Sequence, residues 1–378
     1  MKRAALVAVL VLALVWVASP YVSAVALLVD LSGASPAWRA WLPVRLRQVE
    51  WRDVEVPTRT GNVAARVYTP QGASRGVWIV VPGLHAGGVD EPRLARFSTR
   101  LAGEGLTVLS LPLPDLRAFR IVARSTDQIE DAVLWASRTL TTSSGSEPIT
   151  LAGISFGGGL ALAAAGRPTI AGRLTRVVSF GGHGLLPRAI DYACTGRLPD
   201  GTSQPAHDYG VAILLLQGLP SLVPSDQVST LDLAVRTFLD ASMADGVNQA
   251  EADALFAQAA AHAAALPEPG RTIMAEVNAR DASRLGARLL PLAEVVGGHP
   301  ALSPERSAAP AVPVFLIHGA HDNVIPQTET LQLAEHYRAQ GVEVHALLTS
   351  AVSHADAASA PTMSDVWALV RMWVKIRT

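Results

Sequence analysis

The chain has a single cysteine, Cys194, among 378 residues. One thiol excludes an intrachain disulfide framework and any Cys-rich metal site. It does not choose a redox compartment, and a buried structural role is the expectation for it. Charge is also scarce: 17% of residues are charged, against the usual quarter, and the formal net charge is -1. That balance gives no electrostatic basis for binding nucleic acid. The basic residues are nearly all arginine, which carries no functional content by itself. There is no G-K-[ST] triplet, and Gly157-Gly158-Gly159 lacks the spacing of a dinucleotide-binding turn, which disfavours a nucleotide-dependent α/β enzyme. Internal repeats and long low-complexity linkers are missing too. What remains is an Ala-, Leu- and Val-rich globular chain, long enough for one large domain with an insertion or for two ordinary domains.

The amino terminus is the first positive feature. Met1-Lys2-Arg3 precedes an apolar run from Ala4 to Val29, interrupted only by Ser19, Pro20 and Ser23. Such a run is long enough to cross a hydrocarbon core of ~30 Å as a helix. Residues 1–30 therefore read as a signal anchor or a signal peptide. Because the run continues past the small-residue site at Val22-Ser23-Ala24, the anchor is the favoured reading. Trp38 and Trp41 suit an interfacial belt. Lys2 and Arg3 favour a membrane-anchored protein whose main domain is exported, periplasmic or extracellular. Arg39, Arg45 and Arg47 on the other side oppose this and leave a cytoplasmic-facing domain open.

Beyond this segment, short apolar runs predict strands at Val49–Val56, Val63–Tyr68, Val77–Val81, Leu106–Leu113, Ile149–Ile154, Val177–Phe180, Val314–Ile317 and Val342–Leu348. Continuous apolar runs of this length suit strands buried on both faces, as in a parallel sheet covered by helices. Helices are predicted at Thr126–Leu140, Gly158–Ala165, Thr328–Arg338 and Ser364–Ile376. This alternation implies an α/β doubly wound core over residues 49–184 and 311–378. Residues 185–310 break the rhythm. They are Ala-rich, with helices predicted at Leu231–Ala241 and Ala250–Ala265, and with Val211–Leu216 as the one short run that could be a strand. They read as a helical insertion.

The chemistry centres on Gly153-Ile154-Ser155-Phe156-Gly157, a G-x-S-x-G motif between a predicted strand and a predicted helix. A serine on so tight a turn projects its hydroxyl above the sheet, and the flanking positions need glycine to avoid clashes. The helix amino terminus supplies N–H groups for a developing oxyanion. A serine hydroxyl needs a base. Val314 to Asp322 runs from an apolar strand into a loop that carries an acid, and His354 lies in a loop after the last predicted strand. All three residues fall beyond strand carboxyl ends, where open α/β sheets place their sites. Ser155, Asp322 and His354 are therefore the candidate nucleophile, acid and base. Asp356 and Asp191 are weaker rivals for the acid. The oxyanion hole is assigned to the N–H groups of Phe156 and Leu84, the latter in Pro82-Gly83-Leu84-His85 after the first buried strand, with His85 next in line. His85 and His183 are the candidate substrate-binding residues. His318 and His321 are expected to shape the acid loop, and His345 to be structural.

These residues resemble the α/β-hydrolase superfamily, of the serine esterase or lipase-like kind. The resemblance rests on Pro82-Gly83-Leu84, Gly153 to Gly157, His318-Gly319 to Pro326, and His354. It implies a mostly parallel eight-stranded sheet and a helical cap formed by residues 185–310. Pro82 stands where many relatives have His, so a side-chain role for that His is absent, whereas the backbone role of Leu84 is untouched. Relatives resembling dienelactone hydrolases often use a Cys nucleophile, and this chain has Ser. The expected activity is carboxylesterase-like hydrolysis of a small-molecule ester, apolar in its acyl or alcohol part, through an acyl-enzyme and without metal or cofactor. Thioesterase, amidase and acyltransferase activities share the same machinery. A non-catalytic, membrane-tethered binding protein of the same fold is the alternative of a different class.

Overall fold

The structure is a computed structural model that describes residues 19–31, 46–141, 147–245, 248–352 and 361–377. Among them eight strands form one sheet: β1 (Val49–Thr58), β2 (Gly61–Pro70), β3 (Val77–Val81), β4 (Thr107–Ser110), β5 (Ile149–Ile154), β6 (Arg176–Phe180), β7 (Val314–Gly319) and β8 (Val344–Thr349). Their order across the sheet is β1-β2-β4-β3-β5-β6-β7-β8. β1 and β2 form an antiparallel hairpin with Val49 opposite Pro70, and β2 meets β4 antiparallel. Every other pairing is parallel.

The continuous apolar runs have a simple cause. Successive side chains of a strand point to opposite faces, and here both faces are covered. Val77, Ile79 and Val81 join the core on one face, with Leu151, Val177, Val314 and Leu316. Trp78 and Val80 join the core on the other, with Ala152, Val178, Phe315 and Ile317. The first face is covered by the helices Arg124–Thr139 and Phe156–Ala165. The second is covered by Pro92–Gly103 and Met363–Arg377. The edge strand β1 keeps Glu50, Arg52, Asp53 and Glu55 exposed, and the Arg66 guanidinium lies 4.0 Å from the centroid of the Trp51 ring.

Residues 19–31 form a helix on the second face, where Ala24 and Leu27 are fully buried. Polar groups fix it as well. Arg100 pairs with Asp30 at 3.1 Å, the Arg377 guanidinium donates to the Ser23 hydroxyl at 2.8 Å, and Tyr21 stacks on Trp367. The described half of the expected membrane span thus packs against the sheet's covering helices. Among the described residues no helix is long and apolar enough to cross a membrane. Residues 1–18, together with Trp38 and Trp41, lie outside the described residues.

Between β6 and β7 the chain forms a run of helices, including Leu186–Thr195, Asp208–Leu222, Ser225–Ala244, Gln249–Ala265, Gly270–Asn278 and Ala282–Leu289. The ambiguous run Val211–Leu216 lies inside the helix Asp208–Leu222. Val211, Ala212, Ile213, Leu214 and Leu215 are all buried there, so the helix is apolar around most of its circumference and shows no amphipathic period. Cys194 is buried in this insertion, and burial pushes its thiol up to about 12.

Candidate active site

Ser155 sits between the end of β5 and the helix Phe156–Ala165 with φ 54 and ψ -133. A non-glycine residue in this region costs on the order of 1–3 kcal/mol and persists only where its surroundings enforce it. The enforcement is visible in the flanking glycines. A Cβ on Gly153 would lie 2.3 Å from the Gly157 carbonyl oxygen, and one on Gly157 would lie 2.4 Å from that of Pro82. The Ser155 N–H donates to the Phe180 carbonyl of β6 at 2.6 Å, which pins the turn to the neighbouring strand. Ser155 itself is half-buried.

The loop after β3 passes directly over the serine. A Cβ on Gly83 would lie 3.1 Å from the Ser155 hydroxyl, so only glycine lets this backbone approach so closely. Leu84 and His85 follow, both half-buried. The His85 Nδ1 accepts from the Gly87 N–H at 3.0 Å, which places the ring proton on Nε2. Burial holds the His85 pKa below the usual histidine value, partly offset by Glu91.

The acid loop leaves the same sheet edge two strands away. Asp322 is buried, and its Oδ1 accepts from the N–H groups of Val324 and Ile325 at 2.9 and 3.0 Å. His318, fully buried, lies behind it. Its Nε2 donates to the Ile325 carbonyl at 2.9 Å and stands 3.3 Å from Asp322 Oδ2, while its Nδ1 meets the Thr330 hydroxyl. His321 is exposed, and His345 sits between Glu343 and the Phe315 ring. Asp191 is exposed on the helix Leu186–Thr195. The backbone after β8 approaches this loop: the Val352 carbonyl oxygen is 2.7 Å from the Cβ position of Gly319. His354 and Asp356 follow Val352 and lie outside the described residues.

His183 corrects an expectation. It has no exposed area, so it does not line an open pocket. Its ring stacks on Phe156 at 4.8 Å, presses against Gly159 and meets the Leu302 carbonyl at 2.7 Å through Nε2. It is a packing residue behind the helix Phe156–Ala165. Burial holds its pKa down, so the ring is neutral.

Three residues of the insertion reach the site without any sequence signal. The Gln204 side-chain amide donates to the Asp322 carbonyl at 2.8 Å. The His207 N–H donates to the Asn323 carbonyl at 2.8 Å. The Tyr209 hydroxyl donates to the Leu84 carbonyl at 3.0 Å. An isolated Gln, His or Tyr in an irregular stretch has no periodicity to betray it.

The mostly parallel eight-stranded sheet, with a serine held on a strained strand-to-helix turn at a strand's carboxyl end, is the α/β-hydrolase fold. Among solved structures the chain is similar to a hyperthermophilic esterase from the archaeon Pyrobaculum calidifontis, with 17% identity over 96% of this chain and 92% of that one and a TM-score of 0.46. It is also similar to brefeldin A esterase, described as a bacterial homologue of human hormone-sensitive lipase, with 15% identity, coverage of 93% and 81%, and a TM-score of 0.48. Carboxyl esterase 2 from the mycorrhizal fungus Tuber melanosporum gives 14%, 89%, 87% and 0.48 in the same order. At these values the fold is defined by the chain's own strand order and elbow, not by the likenesses. No family model matches the chain, and no curated protein sequence matches it.

Proposed function

We propose that this protein is a serine hydrolase that cleaves carboxylic esters through an acyl-enzyme. Ser155 attacks the ester carbonyl while His354 takes its proton. The N–H groups of Leu84 and Phe156 bind the oxyanion, and Asp322 orients the imidazole and stabilises its cation. His354 then returns the proton to the leaving alcohol, and water repeats the sequence on the acyl-enzyme. The observation that carries this reading is the enforced φ of 54 at Ser155, under a loop whose Gly83 has no room for a Cβ, which would lie 3.1 Å from the Ser155 hydroxyl. Strain held in place by the flanking glycines at a strand's carboxyl end supports a presented nucleophile. An apolar insertion in contact with both site loops favours an ester with an apolar part.

The test is labelling of the folded protein by a fluorophosphonate, beside Ser155→Ala and His354→Ala. The proposal expects a labelled wild type and two silent variants. A folded wild type that stays unlabelled would sink it in favour of a binding protein of the same fold. An ester chain-length series addresses the substrate: acetates cleaved as fast as long-chain esters would remove the apolar part of the proposal.

A further inference from the structure

The segment from Gln204 to Tyr209 leaves the cap-side helices and returns to the carboxyl edge of the sheet. There it touches the acid loop and the oxyanion loop at once. Gln204 and the His207 backbone bind the carbonyls of Asp322 and Asn323, each at 2.8 Å, and Tyr209 binds the carbonyl of Leu84 at 3.0 Å. These two loops flank the serine, and a stretch of six residues spans the gap between them. The segment is itself anchored. The His207 Nδ1 accepts from the Tyr209 N–H at 3.1 Å and so caps the helix Asp208–Leu222. The Tyr209 ring packs edge-on against Phe119, whose own φ of 53 is held by Gln217 bonding its carbonyl at 2.6 Å.

The geometry of the peptide group gives these contacts a direction. A carbonyl and the N–H of the same peptide lie in one plane and point opposite ways. Fixing the Leu84 carbonyl therefore fixes the His85 N–H directly, and it anchors the loop whose preceding peptide, Gly83–Leu84, carries the Leu84 N–H. Fixing the Asp322 carbonyl likewise fixes the peptide that follows the acid. Burial keeps the Tyr209 phenol well above its usual pKa, so it remains a donor throughout the working range.

We propose that the segment Gln204–Tyr209 is a brace, and that Tyr209 and Gln204 are positioning residues for the hydrolysis: Tyr209 aligns the oxyanion loop, and Gln204 aligns the loop that carries the acid. This inference rests on the serine-hydrolase reading above. It makes the insertion part of the catalytic alignment as well as a cover, since neither residue need touch the reacting atoms.

The experiment compares wild type with Tyr209→Phe, Tyr209→Ala and Gln204→Leu. It measures the rate of fluorophosphonate labelling and the steady-state hydrolysis of p-nitrophenyl butyrate across pH, with melting curves for each variant. Tyr209→Phe removes one oxygen only. It is expected to lower kcat and the labelling rate about tenfold with KM nearly unchanged, and to carry most of the loss seen in Tyr209→Ala. Gln204→Leu is expected to move the acid limb of the pH profile, which Tyr209→Phe leaves in place. A reactive wild type with an equally reactive Tyr209→Phe and an unshifted Gln204→Leu profile would overturn the brace alone. Silence of a folded wild type would overturn the brace together with the reading beneath it. If Tyr209→Phe fails to fold, the Gln204→Leu pH profile decides.

Discussion

The Glu329 carboxylate, which has no exposed area, binds the Arg188 guanidinium at 2.5 Å at the root of the insertion. The same carboxylate accepts the N–H groups of Gly184 and Leu185, both at 2.9 Å, where the chain leaves the sheet domain. Arg188 also bonds Glu305 at 2.7 Å, where the insertion ends. The entry and exit of the insertion are thus stitched to the helix Thr328–Ala339. Glu329→Ala would remove one of the two carboxylates that pair with Arg188, leaving Glu305, and the acceptor of the Gly184 and Leu185 N–H groups. It should cost about 2 kcal/mol, because buried donors lose their acceptor. Glu329→Gln keeps an acceptor for the N–H groups and should cost less. Urea unfolding of the three proteins checks this, and equal midpoints would contradict it.

Asp322→Asn separates structure from chemistry. The asparagine Oδ1 can still accept from Val324 and Ile325, so the loop should hold and the melting temperature should stay close to wild type. The imidazole would lose its anionic partner and its tautomer preference, and kcat should fall about 10⁴-fold, as in triads elsewhere. A fall of tenfold or less would assign the acid to another residue.

For His183 the structure predicts a stability defect and no binding defect. His183→Ala would open a cavity against Phe156 and Gly159, where the ring is packed. The expected cost is about 2–4 kcal/mol, by analogy with other buried large-to-small changes. KM for butyrate esters should be unchanged at a temperature where the variant is folded. A raised KM with wild-type stability would restore the substrate-binding role expected from sequence.

The hairpin is tied to the helix Arg124–Thr139 by charge, and this gives a pH signature. Burial alone would raise the Asp131 pKa, but Arg59 outweighs it through its side chain and its N–H, and holds the carboxyl below its usual value. A lowered folded-state pKa adds stability that is complete above the unfolded value of about 3.9 and is lost as pH falls through the folded one. The melting temperature of wild type should therefore exceed that of Asp131→Asn at neutral pH, and the gap should close in acid. A gap constant from pH 7 to pH 2 would exclude the ionised carboxylate as its source.

Much of the core was legible because its physical cause is local. β3 and β5 have the bounds that their apolar runs suggest, since burial on both faces keeps them apolar except at Thr150. The elbow was legible because its glycines are steric necessities. The helix Pro92–Gly103 went unread although Leu94, Phe97 and Leu101 lie on one buried face at helical spacing. His183 was misread because a histidine near a site looks functional until its burial is known. Gln204 and Tyr209 were illegible for a deeper reason. Their contacts are to backbone carbonyls more than 100 residues away, and no local pattern encodes a partner that any residue type could supply.

The charged edge of the sheet bears on how the protein behaves in bulk. With a formal net charge of -1 and 49% hydrophobic residues, long-range repulsion between molecules is weak. Colloidal stability then depends on local features. Exposed Glu50, Arg52, Asp53 and Glu55 on β1 would have to shed water before two copies could zip their edges together. The Arg66 guanidinium puts a charge over one face of Trp51, the one large ring of that strand, which is otherwise 57% exposed. A few side chains far from the serine thus oppose the edge-to-edge association that a nearly neutral, apolar-rich protein would otherwise risk at high concentration.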